Sequence, residues 1–291
     1  MIVLQNGSFS YRETEENGRL CLISYDGTEP FAEVPSEFLG GCVRGVAKKA
    51  FWGNKTLVSI FLPDTIEEIG DWAFADCRML ERIRLPEGEL CIGNQMFRGC
   101  GRLQKITIGN GSEALARLSA MAVVELEAEY LLRQQAGSGI WYQNLDARII
   151  EALRESEETV QNRLVYCAEE DMLQKQEEAL CLQKKRKARI AFLRLLYGKA
   201  PLQEEKDLLT QYLLSETKGC GTEAAWKVAK EGGGEQFQCV DKLLEIGALH
   251  KGNIGAALAD LGKEQIELKA YLLRQWKAPQ RQETLWEMLK L

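Results

Sequence analysis

Residues 66–86 read IEEIGDWAFADCRMLERIRLP, and nearly the same sentence stands 23 residues earlier over Val43–Pro63 and again over Leu90–Gly109. In register, Phe51, Phe74 and Phe97 coincide, as do Leu57, Leu80 and Leu103, then Ile60, Ile83 and Ile106, then Leu62, Leu85 and Ile108. A period of this length with recurring Leu and Ile marks one coil of a solenoid, which buries its apolar face only by stacking on its neighbours. Such a surface is built for extended contact rather than for chemistry.

Each coil contains a short segment ending in Leu-Pro whose side chains alternate. Strand geometry then turns Ile60 and Leu62 inward and leaves Ser59 and Phe61 outside, and the same phase exposes Arg82 and Arg84, then Lys105 and Thr107. Pro63 and Pro86 end these strands by removing a ladder donor. Gly70 and Gly93 follow Ile69 and Ile92, where a tight turn of the coil is expected, and Ala50 and Ala73 leave room for the Phe beside them. Trp52 and Trp72 flank the Phe positions, and exposed aromatic residues are frequent interface anchors.

The pieces Ile66-x-x-Ile-Gly-x-x-Ala-Phe74, Cys77-x-x-Leu80 and Ile83-x-Leu-Pro86 resemble the BspA-type leucine-rich repeat. The first copy departs from the pattern with Ala47 for Gly and Asn54 for Cys, the third with Met96 for Ala and Gly109 for Pro. The resemblance covers about residues 43–109. It implies a right-handed coil of short strands used to bind proteins or surface ligands, often in secreted or surface adhesins.

Upstream, Phe9–Tyr11 and Leu20–Tyr25 read as a hairpin that caps the open end of the stack. Downstream, after Asn110-Gly-Ser112, the pattern becomes helical. An amphipathic helix is expected over 113–135 with Ser112 as its N-cap. Further helices are expected at about 146–154, 158–168, 170–197, 203–215, 222–231, 236–247, 252–262, 264–276 and 282–290, separated by Gly-containing breaks. The stretch Leu243-Leu-Glu-Ile-Gly-Ala248 with Ala256-Ala-Leu and Ile266 to Leu273 resembles a degenerate ankyrin-like helical pair, although the T-P-L-H signature is missing. The expected fold is therefore α+β: a leucine-rich-repeat solenoid with its hairpin cap over 1–111, then an all-α domain of helical hairpins over 112–291.

Composition narrows the function. The net charge is −6, with 37 Lys+Arg against 43 Asp+Glu, and the excess of acid is spread along the chain. This argues against a nucleic-acid binder working by general electrostatic attraction. No apolar run reaches membrane-spanning length and no basic-then-apolar leader opens the chain, which points to a cytoplasmic location; the family resemblance offers the cell surface instead. Nine cysteines, an odd number without a C-x-x-C, read as reduced and mostly buried thiols, with no metal site.

Catalytic constellations are absent: His250 is the only histidine, and neither a phosphate-binding loop nor an H-E-x-x-H motif occurs. No catalytic residue, cofactor or metal is expected. One charge feature stands out, Lys184, Lys185, Arg186 and Lys187 with Arg189. It could grip a phosphate backbone, or it could pair with nearby acids such as Glu177 and Glu178 on one long helix. The reading favoured by the whole is a non-enzymatic protein-interaction module whose contacts come from Trp52, Phe61, Trp72, Arg82, Arg84, Lys105 and Thr107. The alternative is a nucleic-acid-associated helical repeat protein using the basic run.

Overall fold

The computed structural model describes residues 3–14, 18–156, 172–231 and 235–275. The chain divides into two compact units, Met1–Ile149 with Tyr197–Ala200, and Ile150–Leu196 with Pro201–Leu291.

The first unit is the solenoid. Its strands are β1 (Val3–Asn6), β2 (Phe9–Glu13), β3 (Arg19–Tyr25), β4 (Phe31–Glu33), β5 (Glu37–Phe38), β6 (Gly41–Val46), β7 (Ser59–Phe61), β8 (Glu68–Ile69), β9 (Arg82–Leu85), β10 (Cys91–Ile92) and β11 (Lys105–Ile108). They make two sheets, one ordered β1-β2-β3-β6-β8-β10 with β5 beside β6, the other β11-β9-β7-β4. From coil to coil the pairing is parallel and follows the sequence period, Ile60 opposite Ile83 and Ile83 opposite Ile106. The cap is antiparallel, as the Phe9–Tyr11 and Leu20–Tyr25 segments suggest, and β1 adds a third strand to it. Its last strand, β3, pairs in parallel with β6, so the cap is also the first rung of the stack.

The stack begins one coil earlier than the sequence period shows. β4 lies parallel to β7 with Phe31 opposite Ser59 and Ala32 opposite Ile60, outside the 23-residue repeat. Tyr25 takes the place that Phe holds later, its ring 5.2 Å from that of Phe51. The ladder continues through Phe51 and Phe74 at 5.0 Å and Phe74 and Phe97 at 5.7 Å, with interplanar angles of 25° and 17°. Around it Leu57, Leu80, Ile60, Ile83 and Ile106 are all buried, which gives about four turns a single apolar core.

Backbone groups in the turns obey the same repeat. The N–H of Phe51 donates to the Ala73 carbonyl at 2.8 Å, and that of Phe74 donates to the Met96 carbonyl at 3.1 Å. Thiols satisfy carbonyls on the other side: Cys77 donates to Phe51 and Cys100 to Phe74, each at 3.1 Å. Burial pushes the Cys77 thiol up to about 11 and the Cys100 thiol to about 12, so both keep the proton that they donate. Asn54 can replace Cys in the first coil because its amide donates to the Gly27 carbonyl at 3.0 Å, while its Oδ1 accepts from the Leu57 N–H at 2.8 Å.

Gly70 and Gly93 serve close approach rather than the tight turn expected of them. Neither has a positive φ, and a Cβ on Gly93 would lie 2.4 Å from the Asp71 nitrogen. In the first coil the equivalent Ala47 donates its N–H to Leu22 of the cap strand at 2.7 Å.

Beyond β11 the chain closes the stack. The helix α1 (Glu113–Val124) starts at Ser112, whose hydroxyl accepts from the Leu115 N–H, and its Ala120 and Val123 join the core. The helix expected to run to 135 stops at Val124. Glu127 takes a φ of 52°, and a 3₁₀ turn over Glu129–Arg133 follows. That break places the Glu129 carboxylate against the last coil, where it accepts from the Met96 and Phe97 N–H groups at 3.2 and 2.9 Å. Arg133 donates to the Ile92 carbonyl at 2.5 Å. Together they satisfy groups that the next coil would otherwise have paired. Glu129→Ala is expected to cost about 1–3 kcal/mol by orphaning two donors, read as a lower urea midpoint, with Glu129→Gln losing less.

Helix α2 (Gly139–Arg154) begins earlier than the expected 146, because Trp141 is buried with its Nε1 donating to the Leu131 carbonyl at 3.1 Å. The second unit contains α3 (Met172–Leu196), α4 (Gln203–Ser215), α5 (Ala224–Glu231), α6 (Gln236–Glu245) and α7 (Ile254–Asp260), with further helix over 266–275. The long α3 packs against α4, α5 and α6. Trp226 is fully buried and donates from Nε1 to Asp260 at 2.8 Å, which also accepts from Lys230 at 2.6 Å. The helices expected at 158–168 and 282–290 lie outside the described residues.

Candidate interaction surface

Parallel register turns the alternation of each strand into rows across the β4-β7-β9-β11 sheet. One outward row runs Phe31, Ser59, Arg82, Lys105; the next runs Glu33, Phe61, Arg84, Thr107. Five expected contact residues, Phe61, Arg82, Arg84, Lys105 and Thr107, thus share one face. Phe31 is 63 % exposed and Phe61 39 %, and Arg82, on the strand beyond Phe61, is exposed and free of any ion pair. Phe31 and Glu33 escape the sequence reading, since β4 stands outside the 23-residue period that identifies the other strands.

The two outer cations are already engaged. Arg84 lies over the Phe61 ring at 4.4 Å, grips both Asp64 oxygens at 2.9 and 3.0 Å, and donates to the Leu62 carbonyl at 2.9 Å. These bonds hold the Asp64 carboxyl below its usual range. Lys105 meets Glu113 at 2.7 Å, and the Lys105 bond is the main reason that this carboxyl is lowered too. Arg84 therefore works as a clamp between coils that also fixes the orientation of Phe61.

Trp52 and Trp72 are elsewhere, on the turn segments. Trp52 is 56 % exposed, while Trp72 is half-buried with a φ of 55° and donates its Nε1 to Gln95 at 2.9 Å. Lys49 stands 5.0 Å from the Trp52 ring and 5.2 Å from the Trp72 ring, and Lys48 is 4.7 Å from Trp72.

The basic run lies on α3 and its charges are shared out. Lys185 pairs with Glu231 at 2.8 Å and Lys184 approaches Glu216 at 3.9 Å. Lys187 is buried, donating to the carbonyls of Leu153 at 3.2 Å and Glu155 at 2.6 Å. Arg186 is half-buried and Arg189 exposed on the same helix. His250 lies in the exposed connection before α7, its Nδ1 accepting from the Gly252 N–H at 3.0 Å. Among the described residues there is no cluster of side chains that could hold a metal ion, no paired cysteine, and no helix long and apolar enough to cross a membrane.

Comparison with known proteins agrees with this geometry over one segment. Residues 41–120 match the model of the BspA type leucine rich repeat region, in six copies. No curated protein matches the chain. Among solved structures, a leucine rich repeat protein of T. pallidum is 33 % identical over 36 % of this chain and 53 % of its own, with a TM-score of 0.34. A leucine rich cell surface protein of Faecalibacterium prausnitzii is 24 % identical over 37 % of this chain and 32 % of its own, at 0.33. A leucine-rich repeat protein of Bacteroides capillosus is 19 % identical over 37 % of this chain and 99 % of its own, at 0.30. The chain thus spans about half or less of the first two. With the 23-residue period, the stacked Phe and Cys ladders and the parallel rungs on the page, residues 41–120 are a BspA-type leucine-rich repeat region.

Proposed function

We propose that the protein is a non-enzymatic interaction module that captures a partner protein on the outward face of the β4-β7-β9-β11 sheet. The observation that carries this reading is the pair of exposed aromatic rings, Phe31 and Phe61 on neighbouring strands, with an unpaired Arg82 on the next strand of the same rigid parallel lattice. Aromatic and Arg side chains are the residue types that most often dominate interface energy, and a preformed array spares the ordering cost of binding. In this reading residues 1–111 carry the surface, and α1 with the 3₁₀ turn after it belongs to the same unit as the stack they close. Protonated thiols used as donors at Cys77 and Cys100 favour a reducing compartment such as the cytoplasm.

The variant to test is Phe61→Ala with Arg82→Ala. Arg84 is left intact, since its clamp holds neighbouring coils together. Both altered side chains are exposed, so the unfolding free energy is expected to move by no more than about 0.5–1 kcal/mol. Capture of the partner from the native source, quantified against the parent chain, is expected to fall at least about tenfold, equivalent to roughly 1.4 kcal/mol. Undiminished capture by the folded double variant sinks the proposal, above all if Lys184→Ala with Lys185→Ala abolishes it.

A further inference from the structure

At the closed end of the stack, α1 and residues 132–136 cover the last coil incompletely, and a cleft of about 750 Å³ remains beside β11. That volume lies within the range of about 300–1,000 Å³ typical of small-molecule sites. Leu85, Ile106, Leu115 and Leu132 give it an apolar floor, and Ser119 of α1 also lines it. The Ser119 hydroxyl is buried and has no hydrogen-bond partner among the described residues, while its buried helix neighbours Ala116 and Ala120 carry no polar group. An orphaned hydroxyl is costly at a position where alanine would serve the fold. The rim is acidic. Glu87 and Glu89 stand exposed on the loop after β9, and neither is in an ion pair among the described residues. Glu87 lies over Gly109, between two residues that line the cleft, Ile108 and Asn110; its Oε2 would stand 2.8 Å from a Cβ placed there. Arg133 is the cation of the lining, and its guanidinium is held on the Ile92 carbonyl, a group of the neighbouring cleft that Asp71 and Glu129 line.

We propose that this cleft binds a small organic cation, an arylalkyl amine whose ring carries a polar N–H or O–H. The ring lies on the leucine and isoleucine floor, where its burial drives association. Its N–H or O–H donates to the Ser119 hydroxyl oxygen, which gains the partner that the fold denies it. The ammonium group, at the far end of a short alkyl chain, stays at the wet rim with the Glu87 and Glu89 carboxylates, which give up no ion pair to receive it. Each part rejects a different competitor. An aryl carboxylate of the same shape would bring its charge against two acids. An alkyl diamine would leave the apolar floor uncovered, and an unsubstituted ring would leave Ser119 without a partner. None of these residues belongs to the outward sheet face, so this site stands or falls apart from that one.

Calorimetric titration of the full-length chain with tryptamine and tyramine, with backbone amide shifts read in parallel, tests the assignment. At least one amine is expected to bind with a dissociation constant below about 1 mM, more weakly as salt is added, and to move the amides of residues 88–90 and 134–136. Indole-3-acetate, with the ring of tryptamine and the opposite charge, should bind at least about tenfold more weakly than tryptamine. Glu87→Gln with Glu89→Gln should cut that preference to less than about threefold. Ser119→Ala should keep the fold, with an unchanged or higher melting temperature, and weaken the bound amine at least about threefold. Phe61→Ala with Arg82→Ala should leave binding unchanged. The proposal is overturned if neither amine binds, if indole-3-acetate binds as tightly, if the shifts fall elsewhere, or if the folded Ser119 and rim variants bind like the parent chain. The rim variant alters only exposed side chains, so it decides the matter even if Ser119→Ala does not fold.

Discussion

Phe74→Ala is expected to lower the unfolding free energy of the solenoid by about 3–5 kcal/mol. Its ring is fully buried and stacked on both sides, 5.0 Å from Phe51 and 5.7 Å from Phe97. Truncation removes the burial of an aromatic side chain and leaves a void that two neighbouring rings, each tied to its own coil, fill only in part. Since nearest-neighbour contacts sum along a stack, an interruption in a central coil uncouples those on either side. Equilibrium urea unfolding should therefore show a lower midpoint and a broader transition. An unchanged midpoint would mean that the ladder is not the core.

Gly93→Ala should be nearly as damaging for a different reason. The added methyl would sit 2.4 Å from the Asp71 nitrogen and 2.5 Å from the Gly70 carbonyl carbon, and these backbone atoms cannot swing aside as a side chain could. Relief requires the two coils to part, at a cost of about 3 kcal/mol or more. The ladder bond from the Gly93 N–H to the Ile69 carbonyl, 2.7 Å, is the first to lengthen. Hydrogen exchange reports it directly: the amides of Gly93 and Gly70 should lose protection, while those of α3 in the second unit keep theirs.

What is legible in the sequence is whatever the repeat forces to recur. Phe51, Phe74 and Phe97 must match because each ring packs on the next, and one register decides all three. The phase of β7, β9 and β11 follows from the same constraint, so Ser59 and Phe61, Arg82 and Arg84, Lys105 and Thr107 fall outward together. Departures from the repeat hide what they do. β4 sits on an irregular spacing and offers Ala32 and Val34 where later coils carry Ile and Leu, so its strand and the exposed Phe31 pass unnoticed.

Long-range capping is equally silent in a linear reading. Nothing near Glu129 reveals that its carboxylate closes the ladder at Met96 and Phe97, and the apolar pattern over 113–135 runs on through the break that makes this possible. Charge runs mislead for a related reason. Lys184 to Lys187 look alike in sequence, yet burial and partners divide them, with Lys187 sunk onto backbone carbonyls and Lys185 paired with Glu231. On the sheet, Arg82 and Arg84 are likewise indistinguishable by strand phase, and only the Asp64 grip separates a clamp from a free guanidinium.

The most direct test of the sheet face as the binding surface is photo-crosslinking from within it. A benzophenone amino acid placed at position 61 of the full-length chain, in parallel with one at position 31 and one at position 185, is exposed to the partner and irradiated. The account predicts a covalent adduct from positions 61 and 31 and none from 185. An adduct formed from position 185 alone, with both sheet positions silent, would contradict it.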